Sequence, residues 1–456
     1  MSKWTRCRRG SAWIIAIILL SMCAAMAVSF AAATNQNARL GANTADIQRA
    51  NLAADSGLGF AVRQCKKLRL PAATTVDTAM AAIAADLAGR LNGTANLAGA
   101  AISSTADTVT IPAIATGRES FEVQFKKIGT KLYVEVWGTA GVVRRGRRME
   151  VALTSPTNSV FDYGLASRGQ ISISGNGEIH GMNELTEASV ISTVSSGVAI
   201  SLGGNAVIDG DLSSVGAGTS VVISGTPTVA GSTNPLVIAR HIHFGVAEPV
   251  FPVIDTSIFR ALATNVVDSS TDVSQKGATY ENLIIRAGTN PTFASDIVVN
   301  GVVYVEAPNI VSFSGKVTLN GLVATDPAGA NPLTSCKVNF AGQVEAFGVE
   351  ALPDLPQFQA VKQLTGTFVA APGFDVSFAG QFTTINGTIA ADKLTFSGQA
   401  FGTVRGSVIG MAEQNTSVSG TVNIIIDRAG LRRDPPGFST PLVLTPDPKS
   451  YVEVGS

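Results

Sequence analysis

The stretch Ser11–Ala33, SAWIIAIILLSMCAAMAVSFAAA, constrains this chain more than any other. It contains no charged side chain, and a helix of about 20 apolar residues spans the roughly 30 Å hydrocarbon core of a bilayer. Residues 1–10 before it carry four basic side chains, Lys3, Arg6, Arg8 and Arg9. Because positively charged flanks stay in the cytoplasm, the pattern predicts a transmembrane helix at residues 11–33, a cytoplasmic N-terminus and an exported remainder.

The junction between the basic leader and the apolar stretch carries a second signal. Arg8-Arg9-Gly10 leads directly into Ser11, which resembles the class III signal of type IV pilins. The resemblance implies that prepilin peptidase cuts between Gly10 and Ser11, that the protein resides in a bacterial inner membrane, and that other pilin-like subunits are its partners. Major pilins have Glu at the fifth mature position, where this chain has Ile15. That departure makes the chain similar to PilX and type II secretion K-type minor pilins.

Three other interpretations of the N-terminus stay open. The first is a plain, uncleaved membrane anchor. The second is a secretory signal peptide cut near Ala31-Ala32-Ala33, which the length of the apolar run disfavours because such signals have an apolar core of roughly 7–15 residues. The third is a lipoprotein signal at Cys23, which is disfavoured because Met22 is larger than the small residue required before a lipidated cysteine.

Composition narrows the function of the remaining chain. Lys and Arg together number 33, as do Asp and Glu, and only 14% of the residues are charged. So neutral a chain is disfavoured as a binder of nucleic acid or of anionic membrane surfaces. Its many Gly, Ser, Thr, Val and Ala residues favour short strands and tight turns, so the predicted fold class is mainly β. Cys65 and Cys336 fall in different predicted domains, and no disulfide framework is evident.

Residues 34–155 are predicted to form a helical stem and a small α+β domain. An apolar residue recurs every seven positions, at Leu40, Ile47, Ala54, Ala61 and Leu68. This narrow seam suits packing either against other helices of a filament or on the chain's own domain. Pro71 is expected to end the helix, and a second helix is predicted from about Val76 to Leu91. Four strand-like runs follow, Thr108–Ile111, Phe121–Lys126, Leu132–Trp137 and Arg147–Leu153, an order that resembles the pilin body plan.

A basic cluster stands out in this chain of low charge. It consists of Arg144, Arg145, Arg147 and Arg148. Such a run most often forms a solvated strand face, and contact with an acidic partner is the alternative.

Residues 160–430 show short alternating runs that end in Gly. Four of these runs share an aromatic residue, in Phe313-Ser314-Gly315, Phe340-Ala341-Gly342, Phe378-Ala379-Gly380 and Phe396-Ser397-Gly398. The repetition predicts a parallel β-helix, in which alternate apolar residues stack in a common interior and Gly forms the tight corners. Phe340 and Phe378 are therefore expected to point inward. An antiparallel β-sandwich is the alternative. The short coils are similar in architecture to those of bactofilins.

Two segments interrupt the repeats, and a Pro-rich tail follows them. A short helix is predicted from Asp255 to Ala263, with Asp255 as its N-cap, and a second one in Leu352–Lys362. Helices of this kind are expected to lie across an end or a flank of a β-helix and to cover its unpaired edge strands. Residues 431–456 are predicted to be extended or disordered.

Few residues of the chain are candidates for catalysis or metal binding. Asp209-Gly210-Asp211 is the one close acid pair of a coil, and an ordinary turn is its more frequent role. His241 and His243 alternate on one strand face, but no third ligand follows at metal-binding spacing. His180 stands alone. No residue is therefore assigned as catalytic, cofactor-binding or metal-ligating, and Gly10 and Ser11 are the only predicted site residues, as the processing site.

Two functions of different classes remain. The first is a structural protein, a pilin-like subunit that displays a β-helix outside the inner membrane for assembly or interaction with a surface or glycan ligand. The second is a membrane-anchored, carbohydrate-active β-helix of the lyase or hydrolase kind, which requires carboxylates to converge on one face. The sequence favours the first, without an enzymatic activity and without a cofactor.

Overall fold

The chain divides into two compact units. The computed structural model describes residues 9–156, 159–382, 384–430 and 434–455, and for residues 9–12 it describes the backbone alone. The first unit comprises Met1–Thr154 and Leu442–Ser456, and the second comprises Ser155–Pro441. The chain therefore leaves the first unit after Thr154 and returns to it at Leu442.

The first unit begins with a long helix, α1, from Arg9 to Lys67. It ends shortly before Pro71, as the sequence predicts. A second helix, α2, spans Ala79–Leu91 and is followed by Asn92 as the C-cap. Gly93 has a φ of +79°, so Asn92-Gly93 ends the helix at Leu91, the residue at which the sequence predicts its end. A short 3-10 turn at Ala95–Leu97 leads into the sheet.

The sheet of the first unit is antiparallel and follows the chain order. Its strands are β1 Ser103–Ser104, β2 Thr108–Ala115, β3 Glu119–Ile128, β4 Lys131–Ala140 and β5 Val143–Thr154. The four predicted runs lie in β2 to β5, and a turn at Gly129 connects β3 to β4. Alternate residues such as Val123, Phe125, Val134 and Val136 are buried in the core that the sheet shares with both helices.

The C-terminal residues complete this sheet. Val443–Pro446 and Val452–Val454 both pair antiparallel with β5, and Val443 lies opposite Thr154. This part of the Pro-rich tail is therefore extended, which is one of the two predicted states. The other predicted state, disorder, is wrong for these residues. Because Thr154 and Val443 are paired neighbours, the second unit occupies the position of a hairpin loop in the sheet of the first.

The second unit is a parallel β-helix of three faces. Its strands pair parallel, apart from Val253–Ile254 with Phe438–Ser439, which pair antiparallel. This pairing excludes the antiparallel sandwich. Two four-residue helices, Pro235–Ile238 and Ser257–Arg260, interrupt the strands.

Face 1 contains the strands that carry the aromatic motif. In spatial order they are Thr292–Phe293, Asn309–Phe313, Cys336–Phe340, residues 375–378, residues 393–396, Thr416–Gly420, Ile171–Gly175, Gly197–Leu202 and Thr219–Ile223. Inward-pointing Phe293, Phe313, Phe340, Phe378 and Phe396 form a buried stack with adjacent ring centroids 4.9 to 5.2 Å apart. The inward orientation expected of Phe340 and Phe378 is confirmed.

Face 2 is apolar on both sides along most of its length. In spatial order its strands are Asn265–Val267, residues 283–285, 303–305, 323–325, 367–371 and 388–391, Val408–Gly410, Leu165–Ser167, Val190–Ser192, Leu212–Ser214 and Ile242–Phe244. Outward side chains such as Tyr304 and Leu322 are buried beneath Phe251, Phe259 and Phe358 of the interrupting segments. A strand covered on both sides needs continuous apolar residues, as in Val302-Val303-Tyr304-Val305.

The interrupting segments lie on a flank of the β-helix, as expected, where they cover the outer side of face 2. They differ from the prediction in form. The predicted helix at Asp255–Ala263 shrinks to Ser257–Arg260, with Asp255 accepting a hydrogen bond from the Ser257 amide. The segment Leu352–Lys362 forms 3-10 turns, Val349–Ala351, Pro356–Phe358 and Val361–Gln363, because its prolines prevent a continuous helix.

Face 3 has an outer side that faces solvent. Its strands in spatial order are residues 279–281, 297–300 and 317–319, Val344–Ala346, Thr384–Asn386, Phe401–Arg405, Asn423–Ile426, Glu178–Gly181, Val207–Ile208 and Thr228–Val229. Phe382 connects Val344 to this series through an isolated bridge. Glu178 and His180 alternate with the buried Ile179, so both point outward.

Glycines line the corner between faces 1 and 3. At Gly342 a Cβ atom would overlap the carbonyl oxygen of Gly315 in the adjacent coil, and Gly420 has a φ of +92°. Glycine is therefore needed at this corner for the close approach of the adjacent coil, for a positive φ, or for both, as at Gly420. The irregular spacing of the motif arises from the loops at residues 326–335 and 347–366, which lengthen single coils without moving the corner.

The order of coils in space differs from their order in sequence. The last coil pairs with the first on all three faces, through Thr416–Gly420 with Ile171–Gly175, Asn423–Ile426 with Glu178–Gly181, and Val408–Gly410 with Leu165–Ser167. We call these three pairings the seam. The chain enters the solenoid at its middle, winds to the end at Ile242–Phe244, crosses to the other end at Asn265–Val267 and winds back. The first and the last coil in sequence therefore both lie at the middle of the solenoid.

Replacing residues 155–441 by a short Asn-Gly turn should leave the first unit folded, because Thr154 and Val443 are already adjacent and Asn-Gly forms a tight hairpin turn. The shortened chain is purified in detergent, and its cooperative thermal unfolding is measured. The control also lacks residues 442–456 and should unfold at a clearly lower temperature, since β5 keeps β4 but loses its pairing with both C-terminal strands. Equal unfolding temperatures for the two variants would contradict the pairing.

Candidate functional site

The N-terminal half of α1 is an exposed apolar surface. Trp13 is 73% exposed and Phe30 is 77% exposed. The helix Trp13–Lys67 is long and apolar enough to cross a membrane, and it lies near the N-terminus. An exposed apolar surface of this size is typical of a helix that inserts into a bilayer or packs against other apolar helices. The structure thus contains the apolar helix that the sequence predicts.

The C-terminal half of α1 packs on the sheet of its own unit. Ala50 and Ala54 are fully buried, and a Cβ atom on Gly138 of β4 would overlap their backbone atoms. Gly57 meets Phe121 and Val136 in the same close manner. Small residues on both sides allow the helix to lie directly on the sheet.

The heptad seam therefore has two environments. Ala54, Ala61 and Leu68 are buried in the chain's own unit, whereas Leu40 is 60% exposed. Packing on the own domain accounts for the seam from about residue 50 onward. The part of the seam before residue 50 does not pack on the chain's own domain and is available for contact with a bilayer or with other helices.

The predicted processing site lies at the limit of the described residues. Residues 1–8 of the leader lie outside them. Gly10 and Ser11 belong to α1, and their backbone is helical. The resemblance to a prepilin junction at Gly10-Ser11 remains a prediction.

The basic cluster of the first unit divides between surface and interior. Arg144 is 47% exposed, whereas Arg147 is buried, so the prediction of a solvated face is wrong for Arg147. Its side chain is 6% exposed and lies 3.0 Å from Asp55 of α1 and 3.3 Å from Glu453 of the last strand. Asn51 also accepts a hydrogen bond from its guanidinium at 3.2 Å. Arg147 thereby connects α1, β5 and the C-terminal strand.

Arg148 belongs to a second ion group, which is centred on the buried Glu135. Two of its nitrogens donate to Glu135, at 2.9 and 2.7 Å, and Lys126 donates to the other oxygen at 2.7 Å. Burial raises the pKa of Glu135, but the hydrogen bonds from Lys126 and Arg148 outweigh it and hold the pKa below its usual value. Arg144 lies over the ring of Trp137. The cluster therefore stabilises the first unit.

On face 3, His180 lies between two carboxylates. Its Nδ1 is 3.0 Å from Asp209 and its Nε2 is 3.2 Å from Glu178, while Asn423 donates to Glu178 at 2.7 Å. Burial lowers the pKa of His180, but the two carboxylates outweigh it, and the net shift is upward. Sequence reasoning missed Glu178, although the Glu-Ile-His alternation was a signal that both polar side chains share one face.

The other two histidines meet the second aspartate of the pair. His241 Nδ1 lies 2.7 Å from Asp211, and His243 Nε2 lies 3.5 Å from it. Asp211 comes from the preceding coil, which is why spacing along the sequence did not reveal it. Within the described ranges, no group of three His, Cys, Asp or Glu side chains has a geometry that could hold a metal ion.

The described cysteines are free thiols. They are Cys23, Cys65 and Cys336, of which the last two are buried. Burial raises the pKa of Cys65 to about 12, so this thiol is a packing residue and a poor nucleophile.

The raised pKa of His180 predicts a pH-dependent contribution to stability. The imidazolium stabilises the folded state fully below the ordinary pKa of 6.5, and this contribution is lost as the pH rises through the higher folded value. His180→Gln should therefore lower the urea midpoint clearly at about pH 5.5 and little at about pH 8.5. His243→Gln, with a side chain 45% exposed, is the control and should change little at either pH. A His180→Gln effect that grows with pH would contradict the ion-pair geometry.

Comparisons with known proteins add little to this description. No family model and no curated protein matches the chain. Among solved structures, the chain is similar to the competence-associated pilin ComZ from Thermus thermophilus, with 11% sequence identity and a TM-score of 0.22. The match covers 90% of this chain and 97% of that chain. A TM-score this low carries no argument about the fold or the function of this chain.

Proposed function

We propose that this chain is a membrane-anchored, pilin-like structural protein that displays a β-helix on the outer side of a bacterial inner membrane. One observation carries the proposal. The first half of α1 is an exposed apolar helix, its second half packs on an antiparallel sheet, and the β-helix replaces a hairpin loop of that sheet. An insertion in a loop leaves the anchor and its sheet intact while adding a large display surface.

The finer assignment is to minor pilins of the PilX or type II secretion K-type kind. It is supported by the Gly10-Ser11 junction and by Ile15 in the place of the usual glutamate. Prepilin peptidase would then process the chain, and other pilin-like subunits would contact the exposed part of α1. The N-terminus would be cytoplasmic, given the basic residues that precede the helix.

The display function involves no turnover. The outer side of face 1 presents mainly uncharged side chains, among which Asn339 donates to Ser312 at 3.3 Å and accepts from Ser377 at 2.9 Å. Such a ladder suits a surface for contact, since hydrolysis of a glycan requires a free acid and base.

A carbohydrate-active enzyme is the second candidate, and one observation favours it. Glu178 and Asp209 converge on one face, as such an enzyme requires. Against it, both carboxylates bind the same imidazole, which leaves neither positioned as an independent general acid. Turnover of a glycan that is abolished by Asp209→Asn or Asp211→Asn would make the enzyme the correct function.

The anchoring proposal predicts a mature chain that begins at Ser11. Mass spectrometry of the N-terminal peptide from the membrane fraction is the measurement. Gly10→Leu should block cleavage, whereas Gly10→Ala should still be processed, because the peptidase requires a small residue at that position. Intact Met1 in the wild-type membrane fraction would show that the chain is a simple anchored protein and no processed pilin.

A further inference from the structure

A groove crosses the seam on face 3 and is separate from the membrane anchor. Its volume is about 500 Å³, and its lining includes Phe401, Glu178, Asn423, Asn176, Gln399 and Gln381. Residues from the last coils and from the first coil contribute to it. The seam therefore creates this groove, which no continuous stretch of sequence could form.

The groove combines an apolar platform with polar groups. Phe401 is 52% exposed although the other phenylalanines that precede or follow the glycine corners, such as Phe396, are buried. Phe401 lies in register with Asn423, and Asn423 lies in register with Glu178. A flat aromatic face next to a carboxylate and an amide matches a sugar ring, which has an apolar C–H face and a rim of hydroxyl groups.

The polar groups are held in place. Glu178 accepts from Asn423 at 2.7 Å and lies 3.2 Å from Nε2 of His180. Its carboxylate is therefore oriented before a ligand arrives, which reduces the entropy cost of binding. The side chain remains 35% exposed, so part of it is accessible to a ligand hydroxyl.

The corner residues repeat along the groove. Gln381, Gln399, Thr421 and Asn176 each follow the corner glycine of their coil and lie on successive coils. Neighbouring parallel strands are about 4.8 Å apart, a step comparable to the length of one sugar ring. Equivalent hydrogen-bonding groups at this spacing suit an extended oligosaccharide more than a compact ligand.

Charge selects the kind of oligosaccharide. Among the described residues that line the groove there is no Lys or Arg, and Glu178 contributes a negative charge. His180 is shared between Glu178 and Asp209, so these three side chains together remain negative, and an anionic glycan such as a polyuronate would meet repulsion with no Lys or Arg among the described lining residues to neutralise it. We infer that the groove across the seam binds a neutral oligosaccharide by stacking on Phe401 and by hydrogen bonds to Glu178 and the corner amides.

This inference extends the proposed display function by naming a ligand class, and either can fail alone. The test is isothermal titration of the full-length chain, purified in a detergent without a sugar headgroup, with cellohexaose, chitohexaose and hexagalacturonate. At least one neutral hexasaccharide should bind with a Kd on the order of 1 mM or tighter, as expected for a shallow site. Hexagalacturonate should bind more weakly than the neutral probe.

Variants locate the binding. Phe401→Ala should weaken binding about tenfold, because it removes the stacking platform, and Gln399→Ala should weaken it about fivefold. Phe347→Ala is the matched control, since Phe347 is 45% exposed and is absent from the residues that line the groove. It should bind as the wild type does. Both phenylalanines are exposed, so each variant should retain the wild-type thermal midpoint.

Three results would overturn the inference. They are the absence of binding for both neutral hexasaccharides, equal affinities for Phe401→Ala and Phe347→Ala, and tighter binding of hexagalacturonate than of the neutral probes. Release of reducing ends during the titration would leave the ligand class correct and would instead overturn display without turnover.

Discussion

The parallel pairing of Thr416–Gly420 with Ile171–Gly175 is the contact on which the second unit depends. Without it, the repeats would form two short solenoids, each with an additional set of unpaired edge strands open to aggregation. With it, the interior is continuous, and the phenylalanine stack continues in register through Val418 to Ile173. Because the seam lies at the middle of the solenoid, the chain both enters and leaves there. This is why a long β-helix can be inserted between two neighbouring strands of another sheet.

The two units divide the work that we propose for the protein. The first contains the apolar helix, fixed to its sheet by close helix–sheet packing at Gly57 and Gly138 and by the ion pairs of Arg147. The second has one outer side covered by apolar segments and two that present mainly uncharged polar groups. The covered face adds burial and rigidity, while the open faces are available for contact. The groove on face 3 lies at the seam, so the same pairing that closes the solenoid also assembles the candidate binding surface.

Local patterns in the sequence predicted the local structure well. Alternation and the Phe-x-Gly motif predicted the β-helix and the inward phenylalanines, since both depend on near neighbours in the chain. The seam was not predictable, because Ile171–Gly175 and Thr416–Gly420 have the same alternating pattern as every other coil and nothing in it encodes the order of stacking. The strand Val443–Pro446 and the Asp211–His241 pair were missed for the same reason of sequence distance. The sequence did contain a signal for the burial of face 2 on both sides. The signal is the unbroken apolar runs of its strands, since a strand buried on one side alone would show simple alternation.

The seam can be tested by replacing Ser172 and Ser417 with cysteine and forming a disulfide between the two positions. Ser172 and Ser417 are register partners with outward side chains. Adjacent strands bring Cα atoms within the roughly 4.4–6.8 Å that a disulfide requires. Under mild oxidation, the Ser172→Cys/Ser417→Cys double variant should yield a linked peptide by mass spectrometry. The Ser172→Cys/Ser377→Cys variant should not, since Ser377 lies on a coil farther from the seam. A link in the second variant with none in the first would contradict the order of coils described above.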